Sequence, residues 1–274
     1  MSEQDDLLVE QDEGVLTITL NRPDRLNTLT MEMHHRLHEL VSHANRDPAV
    51  KVLVLAGAGR GFCGGHDLAG FNFTDDLSQK WQNEPLWLEP EQIATRMYED
   101  SQLFAAIYRM NKPTIAAVRG AAAGSGLTLA IACDLRLASE SAVFKTAFAN
   151  AGRCGEPGST YLLQQLVGPS KARELLLLDE KIDAATAASI GLANKVFSNE
   201  TFDEEVAKIA RKLASGPSMA YSGIKRNLSS AARLSFEDSI IAEAAGNARA
   251  SMSHDGKEAG LAFMEKRAPK FRGY

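Results

Sequence analysis

The stretch Val118–Asp134, VRGAAAGSGLTLAIACD, constrains the fold more than any other part of the chain. An apolar strand, Thr114–Val118, runs into a bend rich in Gly, Ala and Ser, and an apolar helix begins near Gly126. Small residues let another backbone or a ligand come close. The helix start offers free N–H groups and the positive end of its dipole. Such a place suits an anion, or an oxygen that becomes one during a reaction. A tight strand-to-helix turn packed beneath a sheet fits the same residues, so this stretch alone leaves both readings open.

A second turn of the same kind stands upstream. Val50–Ala56, VKVLVLA, is a buried strand of the type found in parallel sheets, and it leads into Gly57–Leu68, GAGRGFCGGHDL, with five glycines in twelve residues. In an α/β sheet, turns after the C-terminal ends of strands form the ligand crevice. One N–H from each turn, converging on one oxygen, would stabilise an oxyanion, each donor being worth about 2.7–4 kcal/mol of barrier.

The rest of the chain reads as one large α/β core with a helical appendage. Val15–Leu20 alternates as a half-buried strand, paired with Leu7–Glu10 through the turn at Asp12-Glu13-Gly14. Thr30 caps a helix to about Asn45. A loop from Ala69 to about Pro90 carries Phe71, Phe73, Trp81, Pro85 and Trp87, and its length marks it as a lid or substrate-shaping loop. One helix is expected over Glu91–Met110, strands near Leu135–Ala138 and Ala142–Phe144, and helices at Tyr161–Leu166, Ser170–Leu178 and Ala184–Ile190. After a short strand at Lys195–Phe197 the chain is all helix, with Thr201–Glu204 read as a capping box opening a helix to Ala214. Helices near Pro217–Ser230, Phe236–Ser251 and Gly256–Lys266 complete the chain. The boundary between core and helical region falls near residue 200.

Composition narrows the function. The net charge of −5 leaves no basic footprint for nucleic acid. Cys63, Cys133 and Cys154 have no CxxC spacing, so no zinc site or disulfide framework is expected. The opening residues, MSEQDDLLVE, are acidic and polar, unlike a signal peptide, and no apolar run is long enough to span a bilayer. A cytoplasmic protein that contacts neither membrane nor nucleic acid is expected. Gly124-Ser125-Gly126 is followed by Leu129 where a dinucleotide-binding fingerprint has its third glycine.

Several ordered motifs together resemble the enoyl-CoA hydratase/isomerase, or crotonase, superfamily. They are NRPDRLNTL at Asn21–Leu29, the Gly57–Leu68 turn, Lys112–Ser139, KIDAATAASIGLANKVF at Lys181–Phe197 and AFMEKRAPKF at Ala262–Phe271. The resemblance implies a spiral core of ββα turns over residues 1–200, with two roughly perpendicular sheets, and a helical trimerisation region over 201–274. It implies a homotrimer or dimer of trimers acting on an acyl-CoA thioester, with no metal or other cofactor and CoA entering as part of the substrate. The backbone N–H groups of His66 and Ser125 match the family's oxyanion donors. His66 then matters through its backbone, and its imidazole need not do chemistry. Arg25, Gly64, Asp67, Phe263 and Lys266 fall at CoA-contacting positions, the last two on the CoA of a neighbouring subunit. Asp67 is also placed to cap a helix starting at Leu68.

Hydratases of this family use two glutamates, and here Thr128 and Phe148 stand in their places. Neither side chain is a general base near neutral pH. Glu156, in Gly152–Thr160, aligns instead with the acidic position of the Δ3,Δ2-enoyl-CoA isomerases and of the phenylacetate-pathway epoxide isomerases. By its local sequence alone Glu156 fits equally well as a cap on the next helix. The resemblance makes it the catalytic carboxylate, with Thr128, Phe148 and Cys154 lining the substrate pocket and apolar surroundings raising its pKa. Double-bond isomerisation is the expected activity. Hydration or thioester hydrolysis on the same scaffold, and acyl-CoA binding without turnover, are the alternatives.

Overall fold

The computed structural model describes residues 5–67 and 90–274. β1 (Leu7–Asp12) and β2 (Val15–Leu20) form an antiparallel hairpin. Its two turn residues, Glu13 and Gly14, both have positive φ, the backbone a two-residue hairpin turn demands. β3 (Val52–Gly57), β4 (Thr114–Val118), β6 (Leu135–Ser139) and β9 (Lys195–Phe197) then add in parallel, giving the order β1-β2-β3-β4-β6-β9. A smaller sheet joins β5 (Ala121–Ala123) and β7 (Val143–Lys145) in parallel, with β8 (Ile182–Asp183) antiparallel to β7.

The large sheet is covered on both faces, which explains its near-continuous apolar strands. One face meets the main core, including Leu37 and Val41 of α1 (Met31–Arg46) and Leu103 and Ile107 of α3 (Gln102–Tyr108). On the other, Val52, Val54, Ile115, Ala117 and Leu137 pack against Phe202, Val206 and Ala210 of α7 (Phe202–Ala214). Thr30 caps α1 as expected, its Oγ1 accepting the Met33 N–H at 3.1 Å.

Three expectations change. The helix read over Glu91–Met110 is two, α2 (Pro90–Asp100) and α3, broken at Ser101, whose hydroxyl donates to the Tyr98 carbonyl. The helices read at Tyr161–Leu166 and Ser170–Leu178 form one run, α5 (Ser159–Leu178), kinked where Gly168 has φ 75° just before Pro169. The capping box at Thr201 does not form. Thr201 is in helical conformation and its hydroxyl lies against Ser198 Oγ instead.

β6 and the segment before β9 are joined through a buried cation. Arg136 is 2% exposed. It donates to the carbonyls of Leu192 and Cys133 at 2.7 Å and to Asn194 Oδ1 at 2.9 Å. Arg136→Met strips these acceptors of their donors and is expected to cost about 3 kcal/mol, read as a lowered urea midpoint with unchanged slope.

Asp134 ties β4 to the C-terminal helices, accepting from the N–H and hydroxyl of Thr114 and pairing with Lys225. α8 (Ser218–Ala231), α9 (Phe236–Met252) and α10 (His254–Met264) end the chain. They leave Ile224, Leu228, Phe236, Ile241 and Phe263 exposed. Among the described residues, no helix is long and apolar enough to cross a membrane.

Candidate active site

Two glycine-rich turns come together at the candidate site, and glycines in each permit close approach. At Gly57 a Cβ would stand 2.3 Å from the carbonyl oxygens of Gly61 and Phe62. At Gly126 it would stand 2.1 Å from the Cys63 carbonyl oxygen. The turns pair with each other as parallel chains. Phe62 and Cys63 N–H groups donate to the Ala121 carbonyl, and Ala123 N–H returns to Cys63 at 3.0 Å. A Cβ on Gly65 would therefore lie 3.8 Å from the Ser125 nitrogen.

The NRPDRLNTL segment braces the first turn, a role its sequence did not disclose. Asn27, buried and with φ 55°, donates through Nδ2 to the carbonyls of Ala58 and Gly61. Arg22 donates to the Thr28 carbonyl and pairs with Asp67 at 2.8 Å. The Leu29–His66 bridge uses the Gly65 carbonyl and the Asp67 N–H, which leaves the His66 N–H outside the pairing. Ser125 opens α4 (Ser125–Ala132), so its N–H is one of the donors a helix start leaves free.

The side chains of the same two residues converge on Glu156. Ser125 Oγ donates a hydrogen bond to Glu156 Oε2, and His66 Nε2 lies 3.2 Å from that oxygen. Both contacts use Oε2, leaving Oε1 as the oxygen without a described partner. The backbone of Glu156 is tied to the first residue of the following helix: Ser159 Oγ accepts the Glu156 N–H at 3.2 Å, the Ser159 N–H donates back to the Glu156 carbonyl at 2.9 Å, and no side chain caps that helix. The carboxylate is therefore not a helix cap.

Its acidity is a correction. Burial does push the Glu156 pKa upward, as the apolar pocket led us to expect. The hydrogen bonds from His66 and Ser125 and the nearby imidazoles outweigh it and hold the carboxyl below its usual range. Glu156 is thus ionised at neutral pH and ready to accept a proton. Behind His66 stands His34, 1% exposed, whose ring centroid is 5.8 Å from that of His66. Burial above all pushes the His34 pKa down to about 4, so this imidazole is neutral. In the sequence His34 is one residue of the α1 span and carries no signal of its own.

The other expected residues are placed as follows. Thr128 is fully buried one turn after Ser125, its hydroxyl turned back to the Gly124 carbonyl at 3.2 Å. Phe148 is buried in the segment held by Asp179, whose carboxylate accepts from Thr146 Oγ1 and the N–H groups of Ala147 and Asn150. Cys154 is exposed two residues before Glu156. Gly64 donates to the Leu26 carbonyl at 2.8 Å, next to the exposed Arg25. Asp67 pairs with Arg22, and the helix it was expected to cap falls outside the described residues, as do Phe71, Phe73, Trp81, Pro85 and Trp87. Phe263 and Lys266 are exposed on or just after α10. A cavity of 280 Å³ between the large sheet and α7, lined by Arg119 and Phe202 among others, contains none of these residues.

Known proteins resemble the chain along nearly its whole length. Residues 10–274 match the family model for enoyl-CoA hydratase/isomerase. The 1,2-epoxyphenylacetyl-CoA isomerase of Escherichia coli K12 is 35% identical over 97% of this chain and 98% of its own length. The crotonyl-CoA hydratase of Syntrophomonas wolfei is 32% identical over 97% and 98%. A crystal structure of an enoyl-CoA hydratase from Bacillus anthracis superposes with a TM-score of 0.88 at 26% identity, covering 98% of this chain and all of that one. The expected crotonase fold is the one observed, and the chain belongs to the enoyl-CoA hydratase/isomerase family.

Proposed function

We propose that the chain is an enoyl-CoA double-bond isomerase in which Glu156 is the proton carrier. The observation that carries this reading is the meeting of one carboxylate with both residues that supply the candidate N–H donors, through Ser125 Oγ and His66 Nε2. Thr128 and Phe148, at the positions of the two hydratase glutamates, support it further.

In the proposed reaction a 3-enoyl thioester rests its carbonyl oxygen between the N–H groups of His66 and Ser125. Glu156 Oε1 takes a C2 proton. The C–H electron pair moves into the C1–C2 bond and charge collects on the thioester oxygen, where the two N–H groups stabilise it. The dienolate collapses, C2=C3 forms, and the electrons of the former C3=C4 bond take the proton from the Glu156 carboxylic acid at C4. Nothing is oxidised or reduced and no water is consumed. The chemistry is complete with the carboxylate and the two donors, with CoA belonging to the substrate. The CoA contacts proposed for Arg25, Gly64 and Asp67 lie within this chain. Those of Phe263 and Lys266 belong to a neighbouring copy in a proposed trimer, whose contacts cover the apolar side chains exposed on α8–α10.

Hydration is the second reading, favoured by relatives with that activity in their names, such as the crotonyl-CoA hydratase above. Glu156 would then orient water. Mass spectrometry of products from 3-enoyl-CoA and crotonyl-CoA separates the two. Isomerisation at constant mass is the expected result. Gain of one water by crotonyl-CoA at a comparable rate overturns it, and binding without conversion of either thioester leaves only an acyl-CoA-binding protein.

A further inference from the structure

We propose that the His66 imidazole is a positioning residue for Glu156, holding the proton-carrying carboxylate through Nε2 while the backbone N–H of the same residue serves the thioester oxygen. This rests on Glu156 being the base, and it gives His66 a second role that its backbone function does not require.

The geometry supports a fixed ring. His66 Nε2 is 3.2 Å from Glu156 Oε2. Its Nδ1 is buried and has no hydrogen-bond partner among the described residues. The ring lies against His34 at a 31° tilt, and His34 meets Phe104 edge-on at 5.7 Å. The rings of His34 and Phe104 therefore stand behind the His66 ring that meets the carboxylate. An imidazole donating through Nε2 fixes Oε2, leaves Oε1 for the substrate, and limits the rotation of a side chain that must serve both C2 and C4.

The consequence is electrostatic as well as geometric. The donors from His66 and Ser125 are what hold the Glu156 pKa down against burial. The charged and titratable groups around them come from four elements. His34 and His35 lie on α1, with His35 3.6 Å from Asp100 of α2. Asp67 follows His66 on the turn and is paired with Arg22. Glu156 stands on the loop before α5. Removing the His66 donor leaves burial less opposed, so the proton affinity of Glu156 rises.

Two variants separate the donor from the ring. His66→Phe keeps an aromatic ring and loses the donor, while His66→Gln keeps a donor at Nε2. Both keep the backbone N–H. For isomerisation of 3-enoyl-CoA, His66→Phe is expected to lower kcat about 10- to 100-fold with KM changed less than about 3-fold. The acid limb of its kcat/KM profile is expected at higher pH. His66→Gln is expected to recover most of kcat and the original limb. Wild-type kcat and an unmoved limb in His66→Phe overturn the proposal, as does a His66→Gln variant as impaired as His66→Phe. A readout free of turnover is the titration of Glu156 in the full chain, followed by its carboxyl 13C resonance and assigned by the loss of that signal in Glu156→Gln. A higher midpoint in His66→Phe sustains the pairing even if no isomerisation is found, in which case the isomerase reading alone falls. An unchanged midpoint removes the pairing whatever the activity.

Discussion

Glu156→Gln is expected to bind acyl-CoA with near wild-type affinity and to lose turnover by about 10³-fold. The amide oxygen can still accept from Ser125 Oγ and His66 Nε2, so the loop before α5 keeps its course. What disappears is the carboxylate that, in the proposed reaction, accepts a proton at one carbon and returns it at another. An amide has no useful basicity near neutral pH. Steady-state kinetics with isothermal titration of a substrate analogue measure both halves. Turnover within about 10-fold of wild type would remove Glu156 from the mechanism. The wild-type pH profile carries the matching sign. Because its hydrogen bonds hold the Glu156 pKa below the usual carboxylate range, activity should persist as pH falls through the region where exposed carboxylates protonate, and fail only below it.

Gly126→Ala is expected to act on both stability and rate. The added methyl would meet the Cys63 carbonyl oxygen at 2.1 Å and its carbonyl carbon at 2.7 Å. These are backbone atoms held in the pairing of the two turns, and no flexible side chain can yield. Either the start of α4 moves or the ladder between Cys63 and Ala122–Ala123 opens, at a cost of about 3 kcal/mol or more. In the proposed reaction a shift of about 1 Å at Ser125 also displaces its N–H from the thioester oxygen, worth about 10²-fold in rate. Urea denaturation and kcat on the remaining folded protein check the two effects. A stable, fully active Gly126→Ala would show that the turns need not approach so closely.

Much of this fold is legible locally. Val15–Leu20 declares its half-buried face by alternation, Val52–Gly57 its burial on both faces by an unbroken apolar run, and Thr30 its cap by position. The failures share a cause: the deciding partner is remote or competing. Ala121–Ala123 has no periodicity of its own and is a strand only because Cys63 and Val143 pair with it. Thr201 fits a capping pattern, yet its hydroxyl lies against Ser198. The loop of residues 68–89, expected to shape the acyl pocket, falls outside the described residues.

The site divides in the same way. The turns alone point to one N–H from each, while the choice of His66 and Ser125, like that of Glu156, comes from the family resemblance. The local sequence of Glu156 allowed helix capping just as well, since the Ser125 hydroxyl that draws it inward is 31 residues away. For the same reason the sequence points the wrong way on its pKa: an apolar neighbourhood is visible in sequence, whereas two donors from separate turns are not. The brace formed by Arg22 and Asn27 was hidden within a motif whose residues gave no sign of which backbone groups they meet.

Solvent deuterium incorporation into 3-enoyl-CoA tests the central claim most directly. The wild-type protein and Glu156→Gln are compared in D2O, with the label located by mass spectrometry and NMR. The account predicts deuterium at C2 and C4, conversion to 2-enoyl-CoA without added water, and loss of both in Glu156→Gln. Undiminished exchange in Glu156→Gln, or a product carrying the elements of water in place of the shifted double bond, would contradict it.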